Sequence, residues 1–135
     1  MKAATLRRAY LHEATLMLAL ACIAVRFVPP ARLFLWANSP PRRVRRFTTG
    51  EVDWVTWAVD NIGMRAWMNA PCLPRALAAR AMLRRRGIAS RLCLGVARNG
   101  DALAAHAWLE IGETKIIGGT EAAGFTRLAE FGEGR

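Results

Sequence analysis

Pro71 to Arg98 reads PCLPRALAARAMLRRRGIASRLCLGVAR, and the period of its apolar residues changes in the middle. Counting from Cys72, the residues Ala76, Ala79 and Leu83 recur at helical spacing and so share one small apolar face. Pro71 and Pro74 bracket Cys72. Prolines are tolerated at a helix start, where the first amides have no intrahelical acceptor, so Cys72 belongs to the first turn. Arg84, Arg85 and Arg86 suit the negative end of that helix, and Gly87 caps it. Beyond Gly87 the period is two: Leu92, Leu94 and Val96 alternate, which predicts a strand.

Reading outward toward the C-terminus, Asn99-Gly100 predicts a hairpin turn, ALAAHAWLEI the return strand, and Gly112-Glu113 a second turn into TKII. The result is a three-stranded antiparallel meander. On its middle strand Ala105, Ala107, Leu109 and Ile111 share one face, and His106, Trp108 and Glu110 the other. Toward the N-terminus, residues 5–27 have helical spacing and end at Pro29-Pro30, and Ala31 to Ala37 form a second short helix. A basic loop with Arg42, Arg43, Arg45 and Arg46 follows. Thr49 ahead of Glu51 then resembles a helix start, and Val52, Val55, Val59, Ile62, Met64 and Trp67 point toward a core, with Gly63 a weak point. The expected fold class is α+β: N-terminal helices, then a helix packed on an antiparallel sheet. Residues 1–135 read as a single domain, with 1–50 its helices and basic loop and 51–135 its core.

The composition is 53% hydrophobic, enough for a core, and carries a net charge of +10. That charge suits nucleic acid, an anionic membrane surface or an acidic protein, and does not choose among them. The apolar run from Ala14 to Val25 is closed in by Glu13 and Arg26, whereas a spanning helix needs about 20 apolar residues, so a membrane span is not expected. A signal peptide is disfavoured too, because His12 and Glu13 interrupt the approach and Phe27-Val28-Pro29-Pro30 offers no small-residue cleavage site. Cys22, Cys72 and Cys93 have neither disulfide-framework nor metal-knuckle spacing, so reduced thiols in the cytoplasm are expected, with no metal and no cofactor.

A thiol at a helix N-terminus is the chemically suggestive one. The positive end of the helix dipole favours a thiolate there, and the unpaired amides can hold an oxyanion. A histidine on a neighbouring strand can take the thiol proton and later protonate a leaving group. His106 lies on the middle strand, and His12 belongs to the N-terminal helix. Cys72 and His106 are therefore the candidate nucleophile and base, while Cys22 and Cys93 read as buried apolar residues.

These residues resemble a known family. PCLPRALAARAMLRRRGIASRLCLGVAR, then LAAHAWLEIG, then KIIGG is similar to the lasso-peptide leader peptidases, small transglutaminase-like cysteine proteases with a papain-related core. The resemblance is strong from Trp54 to about Phe131, and the N-terminal helix with its Pro-Pro is similar in character. It implies that Cys72 is the nucleophile and His106 the base in 51–135, the protease core. It also implies removal of the leader from a ribosomally made precursor peptide, ahead of a macrolactam cyclase. No leader-recognition domain fits in Met1 to Asp53, so the resemblance points to the split form. A separate leader-recognition protein is then the expected partner, the cyclase a further candidate, and no nucleic acid is expected.

The family's third catalytic member, an aspartate on the strand after the histidine, falls near Gly118 here. A two-residue turn at Gly112-Glu113 sets His106 opposite Gly119, and a four-residue turn sets it opposite Glu121. Glu121, or else a backbone carbonyl of Gly118 or Gly119, is the expected orienter of His106, with Glu121 favoured. Asn69 and Trp67, just before Cys72, and Trp108, beside His106, are candidate substrate contacts. Two rival readings stay open: a scaffold of the same fold that has lost catalysis, and a basic nucleic-acid-binding module. Aromatics interleaved with arginine on the sheet would favour the latter, and the sheet offers only Trp108.

Overall fold

The computed structural model describes residues 2–65, 67–119 and 124–132. Four helices precede the sheet: α1 (Ala3–Phe27), α2 (Pro30–Ala37), α3 (Thr49–Gly63) and α4 (Cys72–Arg85). The strands are β1 (Arg91–Asn99), β2 (Ala102–Ile111), β3 (Thr114–Ile117) and β4 (Thr126–Phe131). The fold is α+β, as the change of period at Gly87 predicts.

The helices form because each has one face to bury. From α1 that face is Tyr10, Ala14, Leu18 and Ala21, packed toward α3 and α4. α1 is also, by length and composition, apolar enough to cross a membrane, and 22% of its most apolar window is buried. α3 buries Val52, Val55, Val59 and Ile62. Its start is one residue earlier than expected: Thr48 is the cap, its Oγ1 accepting from the Glu51 amide at 3.3 Å. Its end also differs from expectation. The helix stops at Gly63, the chain turns away, and Met64 and Trp67 are 72% and 64% exposed, outside the core.

The sheet has four strands, ordered β3-β2-β1-β4, all antiparallel. The meander is as expected, but β4 was not foreseen; TRLAEF pairs with β1 and lies mostly exposed at the sheet edge, so its apolar alternation is weak. The first hairpin turn is one residue later than predicted: Asn99 pairs with Ala102, which leaves Gly100-Asp101 as the two-residue loop, with Gly100 taking the positive φ. At the second turn Ile111 pairs with Thr114, the short loop of the two considered, and a bulge then shifts the register between Leu109 and Glu110.

α4 packs on β2, and the main core runs from Tyr10, Leu18 and Val55 through Ala76, Met82 and Leu83 to Leu92, Leu109 and Ile117, with Cys93, Trp108 and Phe125 as a small separate cluster. The other side of β2, with His106, Trp108 and Glu110, is buried as well. His106 is 7% exposed, Trp108 2% and Glu110 3%, because Phe125 and the arginines of β1 and β4 cover that face. Glu110 does not pair with Lys115, its neighbour in register. It accepts from Arg91 at 2.6 Å, Arg127 at 2.6 Å and the Trp108 indole at 2.8 Å.

Candidate active site

Cys72 is the first residue of α4, with Pro71 as its N-cap. Its position is fixed from both sides. Before it, Ala70 N donates to Gly63 O, and Arg75 reaches back from α4 to donate to Ala70 O at 2.8 Å and to Gly63 O at 3.2 Å. The segment between α3 and α4 is thereby folded onto the helix start. Asn69 makes the reversal possible, with a φ of 40° that asparagine tolerates better than most residues.

On the far side, the Ala107 amide donates to Cys72 Sγ at 3.4 Å. In an antiparallel ladder a residue's N–H and C=O point to the same neighbour. For Ala107 that neighbour would be β3, but β3 ends at Ile117 and the chain turns at Gly118, whose φ is 72°. The thiol therefore takes the place of a strand acceptor on the open edge of β2, beside the residue that follows His106.

His106 Nε2 lies 3.0 Å from Gly118 O. A carbonyl oxygen can only accept, so Nε2 carries the proton and Nδ1 is the basic nitrogen. Trp108 stacks at 6.0 Å between centroids and Phe125 lies at 5.1 Å, holding the ring in an apolar slot. Gly118 is needed at its position. A Cβ there would lie 3.1 Å from His106 Nε2 and 3.1 Å from Ala107 O, at a φ that disfavours side chains.

A cleft of about 740 Å³ opens over Cys72. Asp60, Met64, Arg75, Lys115 and the Gly118-Gly119 backbone line it together with Ala70, Pro71 and Ala107. His106 sits behind the Gly118 wall of this cleft. Sequence reasoning missed Asp60, Met64, Arg75 and Lys115 as cleft residues. Only Arg75 had a signal, its place three residues after Cys72 in the first turn of the helix.

Other expected site residues fall differently. Trp108 is buried with its indole N–H satisfied by Glu110, so it supports the His106 ring and presents no surface to a substrate. Asn69 and Trp67 are exposed beside the cleft and do not form its described wall, which Met64, Ala70 and Pro71 supply from that segment. Glu121 lies outside the described residues. Cys22 belongs to α1 and Cys93 of β1 is buried against Trp108, and burial pushes both thiols above their ordinary value; the nearby charge of Glu110 adds to the effect at Cys93. Among the described residues no three His, Cys, Asp or Glu side chains gather as metal ligands.

A helix-start cysteine on the edge of an antiparallel sheet whose next residue back is a histidine is an arrangement suited to acyl transfer through a thioester. Residues 6–130 match the family model described as the Transglutaminase-like superfamily, and the chain belongs to that superfamily. The superfamily includes cysteine proteases, with which this arrangement is compatible. No curated protein and no solved structure gave a match.

Proposed function

We propose that this chain is a cytoplasmic cysteine peptidase that removes the leader from a ribosomally made lasso precursor, acting with a separate leader-recognition protein and before a macrolactam cyclase. The observation that supports the chemistry is the placing of Cys72 Sγ on the Ala107 amide, next to a His106 whose Nε2 is held by Gly118 O. The lasso assignment rests on the motif resemblance, and the family match supports it at the level of the superfamily.

In this reading His106 Nδ1 takes the Cys72 proton, and the thiolate, the attacking form, adds to the carbonyl carbon at the leader–core junction. The new oxyanion is held by the amides of Cys72 and Leu73, which have no carbonyl one turn back in α4 to bond. The C–N bond then breaks as the imidazolium gives its proton to the departing core amine. Water, deprotonated by His106, attacks the thioester, releases the leader carboxylate and restores the thiol. Glu121 is a second candidate for orienting His106.

The test is incubation of the purified chain with the precursor peptide, with and without the leader-recognition protein, and mass measurement of the products. We expect a leader and a core whose masses sum to precursor plus water, formed slowly by the chain alone and faster with the partner, because docking raises the effective concentration of the scissile bond. Loss of all cleavage in Cys72→Ala is expected. Equal rates with and without the partner would contradict the split assignment, and cleavage by Cys72→Ala would contradict the mechanism.

A further inference from the structure

Two arginine runs far apart in sequence meet at the C-terminal end of α4. The loop after α2 is fastened there by the bond from Arg45 N to Gly87 O at 3.0 Å, and it passes so close that a Cβ on Gly87 would lie 2.5 Å from Arg43 O. Arg42, Arg43 and Arg45 thereby face Arg84, Arg85 and Arg86 across a groove of about 830 Å³. Glu13 pairs with Arg85 and Arg86, and Glu51 with Arg45. Among the described residues, six guanidinium groups against two carboxylates leave a net charge of +4, with Arg42, Arg43 and Arg84 in no ion pair.

The groove does not end there. Met17, Trp36 and Ala81 form its floor and also line an adjoining apolar groove of about 330 Å³ with Leu20, Val28 and Leu33. Along its rim the outer stripe of α1 leaves Leu16, Leu20, Ile23 and Phe27 between 50% and 73% exposed. Cation–π contact of Arg84 with Trp36, at 5.5 Å, joins the basic and apolar parts.

We propose that this composite groove is a docking site for an acidic, amphipathic helical segment of a separate protein, its carboxylates on the arginines and its apolar face between α1 and α2. A concave surface with an apolar trough suits a helix ridge better than a flat bilayer, and the trough offers nothing to a nucleic acid backbone. The groove is set apart from the place where a scissile bond would sit. α4 is 14 residues long, which puts its arginine end about 20 Å from Cys72. Only the purpose of docking, bringing a partner to the peptidase, rests on the function proposed above.

The test uses no catalysis. A fluorescein-labelled synthetic helix with leucine on one face and glutamate on the other is titrated with the full chain, and its anisotropy is followed. Two control peptides carry glutamine for glutamate or serine for leucine; phosphatidylglycerol vesicles and a short single-stranded DNA complete the set. We expect the parent peptide to bind, both controls to lose roughly tenfold or more, and the same loss in Arg42→Glu/Arg43→Glu and in Leu20→Glu. Circular dichroism confirms that these surface variants are folded. Absence of parent-peptide binding overturns the proposal, as do equal binding of the controls, unchanged affinity in the variants, or binding confined to vesicles or DNA.

Discussion

The imidazole of His106 rests against a backbone oxygen: its Nε2 lies 3.0 Å from the carbonyl of Gly118, across the end of β3. A carbonyl fixes the tautomer as a carboxylate would, but carries no full charge to stabilise an imidazolium. Such an orienter depends on the course of the chain after Ile117, where the left-handed turn at Gly118 aims the oxygen back at β2.

Gly118→Ala should therefore damage the site while leaving the Cys72 and His106 side chains themselves unsubstituted. Its methyl would press on His106 Nε2 and Ala107 O at a φ of 72°, with a strain of about 1–2 kcal/mol. We expect a small loss in melting temperature and a disproportionate loss, tenfold or more, in the rate of Cys72 alkylation near neutral pH. Glu121→Gln separates the two candidate orienters. If Gly118 O holds the ring, the pH profile of alkylation stays as in the wild type.

Glu110 anchors the strand behind the site, and its ionisation is linked to stability. Burial alone would push its carboxyl up, but hydrogen bonds from Arg91 and Trp108 and the charge of Arg127 outweigh that and hold it below its ordinary 4.5. A carboxyl lowered in the folded state adds stability that is complete above its unfolded value and lost as the pH falls through the folded one. Unfolding midpoints in urea should thus fall steeply below about pH 4 in the wild type. Glu110→Gln should cost about 2 kcal/mol at pH 7 by leaving Arg91 and Arg127 only the more exposed Glu130 as an ion-pair partner, and should flatten that acid limb.

Gly87→Ala should loosen the arginine groove from a distance. The substitution adds a Cβ against Arg43 O at a φ of 73°, so about 2 kcal/mol is expected from strain and displacement. Hydrogen exchange at the Arg45 amide, which is bonded to Gly87 O, should quicken well before that of α4 itself.

The parts of this molecule that were legible in the sequence are those in which one face is apolar and the other polar. α1, α4, β1 and β2 were readable from period alone, and Cys72 from the prolines around it. β4 was not, because an exposed edge strand buries little and has no strong alternation. Trp67 and Met64 misled because helical spacing continues past Gly63, whereas the chain folds back there under the hold of Arg75. Trp108 misled because period two predicts which face a residue takes and is silent on whether another strand covers that face. The contact between His106 and Gly118 depended on a bulge between Leu109 and Glu110, which no residue type announces.

The central claim is that Cys72 is the reactive thiol and that His106 activates it. Sub-stoichiometric iodoacetamide, with mass spectrometry of all three cysteines, tests it directly. Burial raises the other two thiols and keeps them protonated, so Cys72 should be modified first, its rate should fall roughly tenfold or more in His106→Ala, and the modified protein should cleave nothing. Prior labelling of Cys93 or Cys22, or labelling of Cys72 at the same rate with and without His106, would contradict the account.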